Sequence, residues 1–149
     1  MSKVETKLNA MGIQLMELTK PSHPIERTKR SGNLLFVSGH GSENFGKLGK
    51  ELSVEEGYKA AKETTINCLS AIKDAIGDLD KVTNFIKVFG MVNSDPSFTE
   101  QPAVINGVSD LLIEAFGEEI GSHARSAVGM ASLPRGIAVE VEMIVEVCD

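Results

Sequence analysis

The chain has 149 residues, enough for one domain, and its 42% of hydrophobic residues supply an ordinary core, which excludes a disordered protein. Only 5% of the residues are aromatic and there is no Trp, so the core must be aliphatic. The formal net charge of −6 argues against general nucleic-acid binding, which needs a basic surface that neutralises phosphates.

The first fifty residues predict a short helix, a weak strand and a hairpin. Residues 2–11 have the apolar spacing of a short amphipathic helix, and residues 13–18 are predicted as a weak strand. A loop with two prolines follows, because proline interrupts strand pairing. Residues 26–39 are typical of a hairpin whose turn lies at 30–33 and whose second strand is buried. A glycine-rich loop then leads to the first long helix.

The first long helix carries a signal at each end. Ser53 and Glu56 form a capping-box signature at its start. Apolar residues follow at helical spacing over 58–76, and Gly77 stands where a C-terminal cap belongs. The pattern therefore predicts a helix of more than twenty residues with one buried face.

The second half of the chain predicts a strand, a helix and a final hairpin. Residues 82–92 are rich in β-branched and aromatic residues, which favours a strand. Pro102 suits the first position of the second long helix, and Gly117 ends that helix. We expect the chain to close with a hairpin formed by 123–132 and 137–147.

This order of elements predicts an α+β fold with a mixed β-sheet and two long helices packed on one face. In the last strand, alternate residues over 137–145 should meet the helices, so Glu140 and Glu142 lie on the open face. The register of the predicted hairpin places four residues of the preceding strand on the same open face. These are Arg125 and its neighbours Ala127, Gly129 and Ala131. A solvated face usually carries more polar residues, so we expect a second subunit to cover it.

Arg125 is the most informative residue on that predicted face. In the predicted hairpin it is a diagonal neighbour of Glu142. A guanidinium presents a planar set of donors that suits a carboxylate or a phosphate, and the small residues around Arg125 leave a groove beside it. Two interpretations stay open: a structural salt bridge across strands or subunits, and a pocket in which Arg125 holds an anionic substrate.

Other features limit the class of protein. Cys68 and Cys148 are too isolated for a disulfide framework or a zinc motif, and reduced thiols are typical of the cytoplasm. The polar N-terminus lacks a signal-peptide core, and no apolar run reaches the roughly 18 residues that a membrane span needs. The three histidines His23, His40 and His123 have no metal-ligand spacing. We predict a cytoplasmic protein with no metal and no membrane association.

Four features of the sequence stand out together: GNLLFVSG (32–39), DLDKVTNFIKVFGMV (78–92), Asn106 in the second helix, and HARSAVGMASLPRGIAVEVE (123–142). They resemble the RidA/YjgF family, also labelled endoribonuclease L-PSP or translation inhibitor. The resemblance covers about residues 32–147, and residues 1–31 look divergent. It implies a single domain over 1–149 with a chorismate-mutase-like fold, and a homotrimer with active sites in clefts between subunits.

The resemblance also implies an activity: hydrolysis of reactive enamines and imines, such as 2-aminoacrylate, to a keto acid and ammonia without a cofactor. Arg125 matches the arginine that binds the substrate carboxylate, and Glu140 matches the glutamate near the attacking water. Ser38 and Gly39 match the backbone that borders the cleft. We therefore predict Arg125 and Glu140 as catalytic residues. The predicted substrate-binding residues are Arg125, Ser38, Gly39, Ala127 and Glu142.

Two positions depart from the better-known members of that family. Many carry a cysteine where this chain has Ala127, and many carry a tyrosine where Ile25 is the nearest match. Ala127 excludes cysteine chemistry at that position, whereas carboxylate anchoring and water activation need no thiol. The alternatives are a non-enzymatic module that binds a small carboxylate, and an endoribonuclease. The acidic charge and the scarcity of aromatic residues argue against the endoribonuclease.

Overall fold

The computed structural model describes residues 2–149, whose strands form one five-stranded sheet. The helices are α1 (Lys3–Ala10), α2 (Val54–Ile76), α3 (Gln101–Phe116) and α4 (Glu118–Gly121). The strands are β1 (Thr28–Ser31), β2 (Leu34–Gly41), β3 (Val82–Asn93), β4 (Ala124–Met130) and β5 (Val139–Val147). Short 3₁₀ turns at Leu79–Lys81 and Pro134–Gly136 precede β3 and β5.

The predicted ends of α2 are confirmed. The side chain of Ser53 accepts a hydrogen bond from the backbone N–H of Glu56, and the Glu56 carboxylate accepts one from the N–H of Ser53. These two bonds satisfy donors that the first turn of a helix leaves unpaired. Gly77 ends the helix at a φ of 79°, in the left-handed region that glycine adopts without strain.

The predicted strand at 13–18 is wrong, because these residues form no ladder and instead run in irregular conformation along α2. The backbone N–H of Met16 donates to the Ser70 hydroxyl of α2 at 2.9 Å. A helix side chain therefore supplies a hydrogen bond that a neighbouring strand would otherwise supply.

The predicted C-terminal hairpin is also wrong. The strand order is β1-β2-β5-β3-β4, so β3 lies between β4 and β5. β4 runs parallel to β3, and β5 is antiparallel to both β2 and β3. Parallel neighbours need a long crossover, which α3 supplies between β3 and β4. β5 then enters the gap between β2 and β3 rather than folding back on β4.

This topology reverses the predicted faces of β4. Arg125, Ala127 and Gly129 align with Val88, Gly90 and Val92 of β3, and these three β3 residues are all buried under the helices. The three β4 residues therefore lie on the helix side of the sheet, and their predicted place on the open face is wrong. The faces predicted for β5 are confirmed, because Val139, Val141, Met143 and Val145 are buried while Glu142 is exposed.

The predicted α+β architecture is confirmed: α2 and α3 pack side by side on one face of a mixed sheet and enclose an aliphatic core. Gly90 of β3 makes close packing possible, because a Cβ there would lie 2.6 Å from the Ile105 side chain of α3. The opposite face of the sheet presents Phe36 and Val128, which are 44% and 37% exposed. Within residues 2–149, no helix combines the length and apolar character that crossing a bilayer would need.

Candidate functional site

Arg125 lies on the edge strand β4 and contacts the adjacent surface of α3. Its Nη1 donates to Asn106 Oδ1 at 2.8 Å and to Ser109 Oγ at 3.1 Å. Asn106 and Ser109 are three residues apart, so they share one face of α3. Both protons of Nη1 are thereby used, whereas Nε and Nη2 have no partner within residues 2–149. A salt bridge between Arg125 and Glu142 across neighbouring strands, one form of the first interpretation left open above, does not form within residues 2–149, because β3 separates the two strands.

His123 extends this cluster away from Arg125. Its Nε2 lies 2.9 Å from Ser109 Oγ, and its Nδ1 lies 2.7 Å from the carbonyl oxygen of Gly121 in α4. Burial lowers the pKa of His123, and the Arg125 charge lowers it further, while the Gly121 carbonyl acts in the opposite direction. The ring is therefore held in its neutral form more strongly than a histidine in water.

Sequence reasoning singled out Asn106 only through the resemblance, and it missed Ser109 and His123 as parts of this cluster. Two signals were present. His123 stands two residues before Arg125, which places both on one side of an extended strand. Ser109 follows Asn106 by three residues in a helix.

Glu140 and Gly39 meet where β5 passes β2. The pairing of β2 with β5 is irregular between Val37 and His40, so Ser38 and Gly39 lie in a bulge. A Cβ at Gly39 would be 3.0 Å from Glu140 Oε2, which shows that the carboxylate lies over this glycine. Burial raises the pKa of Glu140, and the charge of Glu142 raises it further. A carboxyl group with a raised pKa accepts protons more readily near neutral pH.

Ser38 and Gly39 also border a cleft of about 550 Å³ between β2 and residues 19–27. The Ser38 hydroxyl donates to the Glu26 carbonyl at 2.6 Å, and its backbone N–H donates to the Arg27 carbonyl at 2.9 Å. These bonds attach the loop to β2 and form one wall of the cleft. Ile25, the residue nearest the family tyrosine position, lies on that wall and is 65% exposed.

The structure therefore brings the predicted site residues together in two groups. Ser38, Gly39 and Glu140 form one group, with the exposed Glu142 on the same strand as Glu140. Arg125 and Ala127 form the other group, on the helix side of β4. Two interstrand spacings, about 10 Å, separate β4 from β5, and the two groups lie on opposite faces of the sheet.

The chemistry of the two groups differs. The Arg125 group offers a half-buried cation with unused donors, which suits a planar anion. The Glu140 group offers a carboxyl with a raised pKa beside a cleft. Among residues 2–149, no three His, Cys, Asp or Glu side chains converge as a metal site would require.

Comparisons with known proteins agree with this architecture. Residues 5–147 match the family described as "YjgF/chorismate_mutase-like, putative endoribonuclease". The chain is 44% identical to protein TCP17 of Trypanosoma cruzi over 150 residues, which cover 97% of this chain and 94% of that protein.

Two solved structures are similar along nearly the whole chain. The protein Atu1372 of Agrobacterium tumefaciens, of unknown function, has 39% identity and a TM-score of 0.88, covering 97% of this chain and 92% of its own. A "putative endoribonuclease" from Shewanella oneidensis has 30% identity and a TM-score of 0.92, covering 98% of this chain and 100% of its own. These matches establish that the chain belongs to the YjgF/chorismate-mutase-like family.

Proposed function

We propose that the protein hydrolyses small enamines and imines that bear a carboxylate, such as 2-aminoacrylate, to a keto acid and ammonia. The observation that carries this proposal is the hydrogen bonding of the Arg125 guanidinium group. Asn106 and Ser109 hold both protons of its Nη1, and the edge formed by Nε and Nη2 keeps its donors available. Parallel donors on one guanidinium edge bind a carboxylate in a bidentate way.

Glu140 supplies the second requirement, a base for the attacking water. An enamine such as 2-aminoacrylate first tautomerises to the imine, as its nitrogen gives up a proton to solvent and its terminal carbon takes one up. The imine carbon is electrophilic, so hydrolysis then needs only a bound substrate and a water that loses a proton as it attacks. Glu140 takes that proton and returns it to the nitrogen. The hydroxyl proton of the resulting carbinolamine then passes to the nitrogen, the C–N bond breaks, and ammonia leaves the keto acid behind. The raised pKa of Glu140 supports this exchange in both directions.

We propose that two copies of the chain share each site. Arg125 and Glu140 of one chain lie on opposite faces of the sheet, so a substrate of a few heavy atoms cannot contact both. A neighbouring copy supplies the missing partner, and the exposed Phe36 and Val128 give the open face an apolar surface for it to cover. The proposed assembly is a homotrimer.

A coupled assay tests the activity. A serine dehydratase generates 2-aminoacrylate, and the rate of pyruvate release is followed with and without the protein. We expect Arg125→Ala to lower kcat/KM by about a hundredfold, because it removes the carboxylate anchor. Arg30→Ala is the matched control, since Arg30 pairs with Asp149 at the surface. No acceleration by the native protein, or equal rates for Arg125→Ala and the control, would contradict the proposal.

Subunit mixing tests the shared site. Arg125→Ala and Glu140→Gln are each expected to be inactive alone. If the two residues come from different chains, random reassembly of the two variants restores about a quarter of the sites, each with one intact Arg125 and one intact Glu140. Continued inactivity of a fully exchanged mixture would place both residues in one chain's site. Light scattering checks the assembly, for which we expect three times the 16.0 kDa chain mass.

A non-enzymatic carboxylate-binding module is the second candidate, and Ala127 at the position of the family cysteine favours it. The same Arg125 would then hold a metabolite without turnover. A thermal shift with keto acids in a protein that leaves the dehydratase assay unchanged would support this alternative. The description of the matched family and the name of the Shewanella oneidensis protein also suggest ribonuclease activity, which would require RNA cleavage that persists through purification and disappears in Arg125→Ala. The two unpaired thiols, Cys68 and Cys148, support a reducing cytoplasmic location.

A further inference from the structure

We infer that Ser109 and His123 are positioning residues that orient Arg125 through a directed chain of hydrogen bonds. The inference rests on the proposed function only in taking Arg125 as a carboxylate anchor. Its structural part, the proton on His123 Nδ1, stands independently of any substrate.

The direction of the chain follows from the atoms at each link. The Gly121 carbonyl can only accept, so His123 Nδ1, 2.7 Å away, must carry a proton. Arg125 Nη1 can only donate, so Ser109 Oγ accepts from it at 3.1 Å. The Ser109 proton then goes to His123 Nε2 at 2.9 Å, which is an acceptor in the neutral ring. The other neutral tautomer would set two acceptors, Nδ1 and the carbonyl oxygen, against each other.

The Gly121 carbonyl, at which the hydrogen-bond chain begins, is held firmly in place. Gly121 is buried, and a Cβ on it would lie 2.5 Å from the Leu112 carbonyl oxygen of α3. Only glycine therefore lets α4 lie this close to α3, and this packing fixes the carbonyl that selects the His123 tautomer. The neutral ring is supported by burial and by the Arg125 charge, which both lower the pKa of His123.

The consequence for Arg125 is preorganisation. An unrestrained arginine has many rotamers, and binding a ligand then costs the conformational entropy that the side chain loses when it becomes ordered. Here Asn106 and Ser109 already hold Nη1 from two positions of one helix face, which restrains the guanidinium plane and leaves its Nε and Nη2 edge available to a ligand. Affinity gained in this way comes from a lower ordering cost and not from a new contact.

Nuclear magnetic resonance of the full-length protein tests the structural part directly. Long-range proton–nitrogen correlations of the His123 ring distinguish its two neutral tautomers. We expect the proton on Nδ1, the less common form in water. A proton on Nε2 would contradict the proposed hydrogen-bond chain, because the Ser109 hydroxyl oxygen would then have to accept from both Arg125 and His123.

Binding of pyruvate, measured by calorimetry, tests the functional part. We expect Ser109→Ala and His123→Leu each to weaken binding by about tenfold, and His123→Gln, which restores an acceptor, to recover part of the loss. Because the residues act in series, the double variant should bind no more weakly than either single variant. Tyr58→Phe is the control. It removes the hydrogen bond from Tyr58 of α2 to Asp110 of α3, the helix that also carries Ser109, and it leaves the hydrogen bonds of Arg125 unchanged.

The outcomes separate the two ideas. If Arg125→Ala binds pyruvate like the native protein, the proposed function fails, whereas the tautomer result still decides the hydrogen-bond chain. If Arg125→Ala abolishes binding while Ser109→Ala and His123→Leu match Tyr58→Phe, the positioning role is wrong. Losses that add in the double variant would also contradict it. Ser109→Ala removes a single oxygen, so it decides the matter should His123→Leu fail to fold.

Discussion

Gly107 determines how closely α3, the helix that carries Asn106 and Ser109, packs on α2. A Cβ at Gly107 would lie 2.2 Å from the Tyr58 carbonyl oxygen and 3.1 Å from the Cβ of Ala61. Neither contact can be relieved by rotating a side chain, because one involves backbone and the other a side chain without rotamers. Gly107→Ala must therefore move one helix away from the other.

The magnitude follows from two opposing terms. Helix propensity alone predicts that Gly107→Ala stabilises the protein by about 1 kcal/mol. Ordinary van der Waals contact begins near 3.4 Å, so the helices must separate by about 1 Å. Overpacking of a tightly packed core costs about 3 kcal/mol at the upper end of its usual range. We expect a net loss of about 2 kcal/mol in the free energy of unfolding.

Gly57→Ala in α2 is the matched control. A Cβ there would lie 2.6 Å from Leu48 Cδ1 and 3.0 Å from Val104 Cγ2, which are side-chain atoms and not backbone. Leu48 can change its rotamer, Val104 needs to shift by only a few tenths of an ångström, and alanine adds helix propensity, so we expect a loss of at most about 1 kcal/mol. Urea unfolding followed by circular dichroism measures both variants, at one protomer concentration because assembly shifts the midpoint. A Gly107→Ala protein as stable as the native one, or a Gly57→Ala protein equally destabilised, would refute this reasoning.

Three further outcomes concern titratable groups. A thiol reagent should label only Cys148 in the folded protein, because burial raises the pKa of Cys68 to about 12; rapid labelling of both thiols without denaturant would contradict this. Burial lowers the pKa of His40 and of His123, so their unfolded forms bind more protons than the folded forms just below the unfolded pKa of about 6.5. The contribution of these two histidines to the free energy of unfolding should be fully present above that pH and should be lost as the pH falls toward their lowered pKa values. Unfolding midpoints that stay constant across this range would contradict this prediction. The raised pKa of Glu140 should make kcat/KM of the native protein fall as the pH is lowered through it, and a kcat/KM that stays constant over this range would contradict the role of Glu140 as the base.

Local signals account for the elements that the sequence predicted correctly. Ser53 with Glu56, and Gly77, identify the ends of α2 through bonds between residues close in the chain. The alternation in β5 identifies its buried face, because the period of a strand is two. One face of helices on a mixed sheet follows from counting two long helices against five strands.

The partner of β4 could not be read in the same way. Residues 123–147 contain two strands joined by a short turn at Pro134–Gly136, which is the usual pattern of a hairpin. The competing pairing with β3 depends on α3 as a crossover, a contact between residues distant in sequence. A shift of one residue in strand register moves every side chain of a strand to the other face of the sheet. Pairing β4 with β5 in place of β3 produces such a shift, and it put Arg125 on the wrong face.

The corrected face of Arg125 also constrains the symmetry of the proposed assembly. In a twofold dimer one patch meets its own copy, so a shared site would need Arg125 and Glu140 within that single patch. They lie on opposite faces of the sheet, which places them on two different surfaces. An interface that joins two different surfaces is heterologous, and it closes only as a ring of three or more chains. If the proposed site is shared between chains, the topology of β4 therefore requires a ring such as the proposed trimer and excludes a twofold dimer.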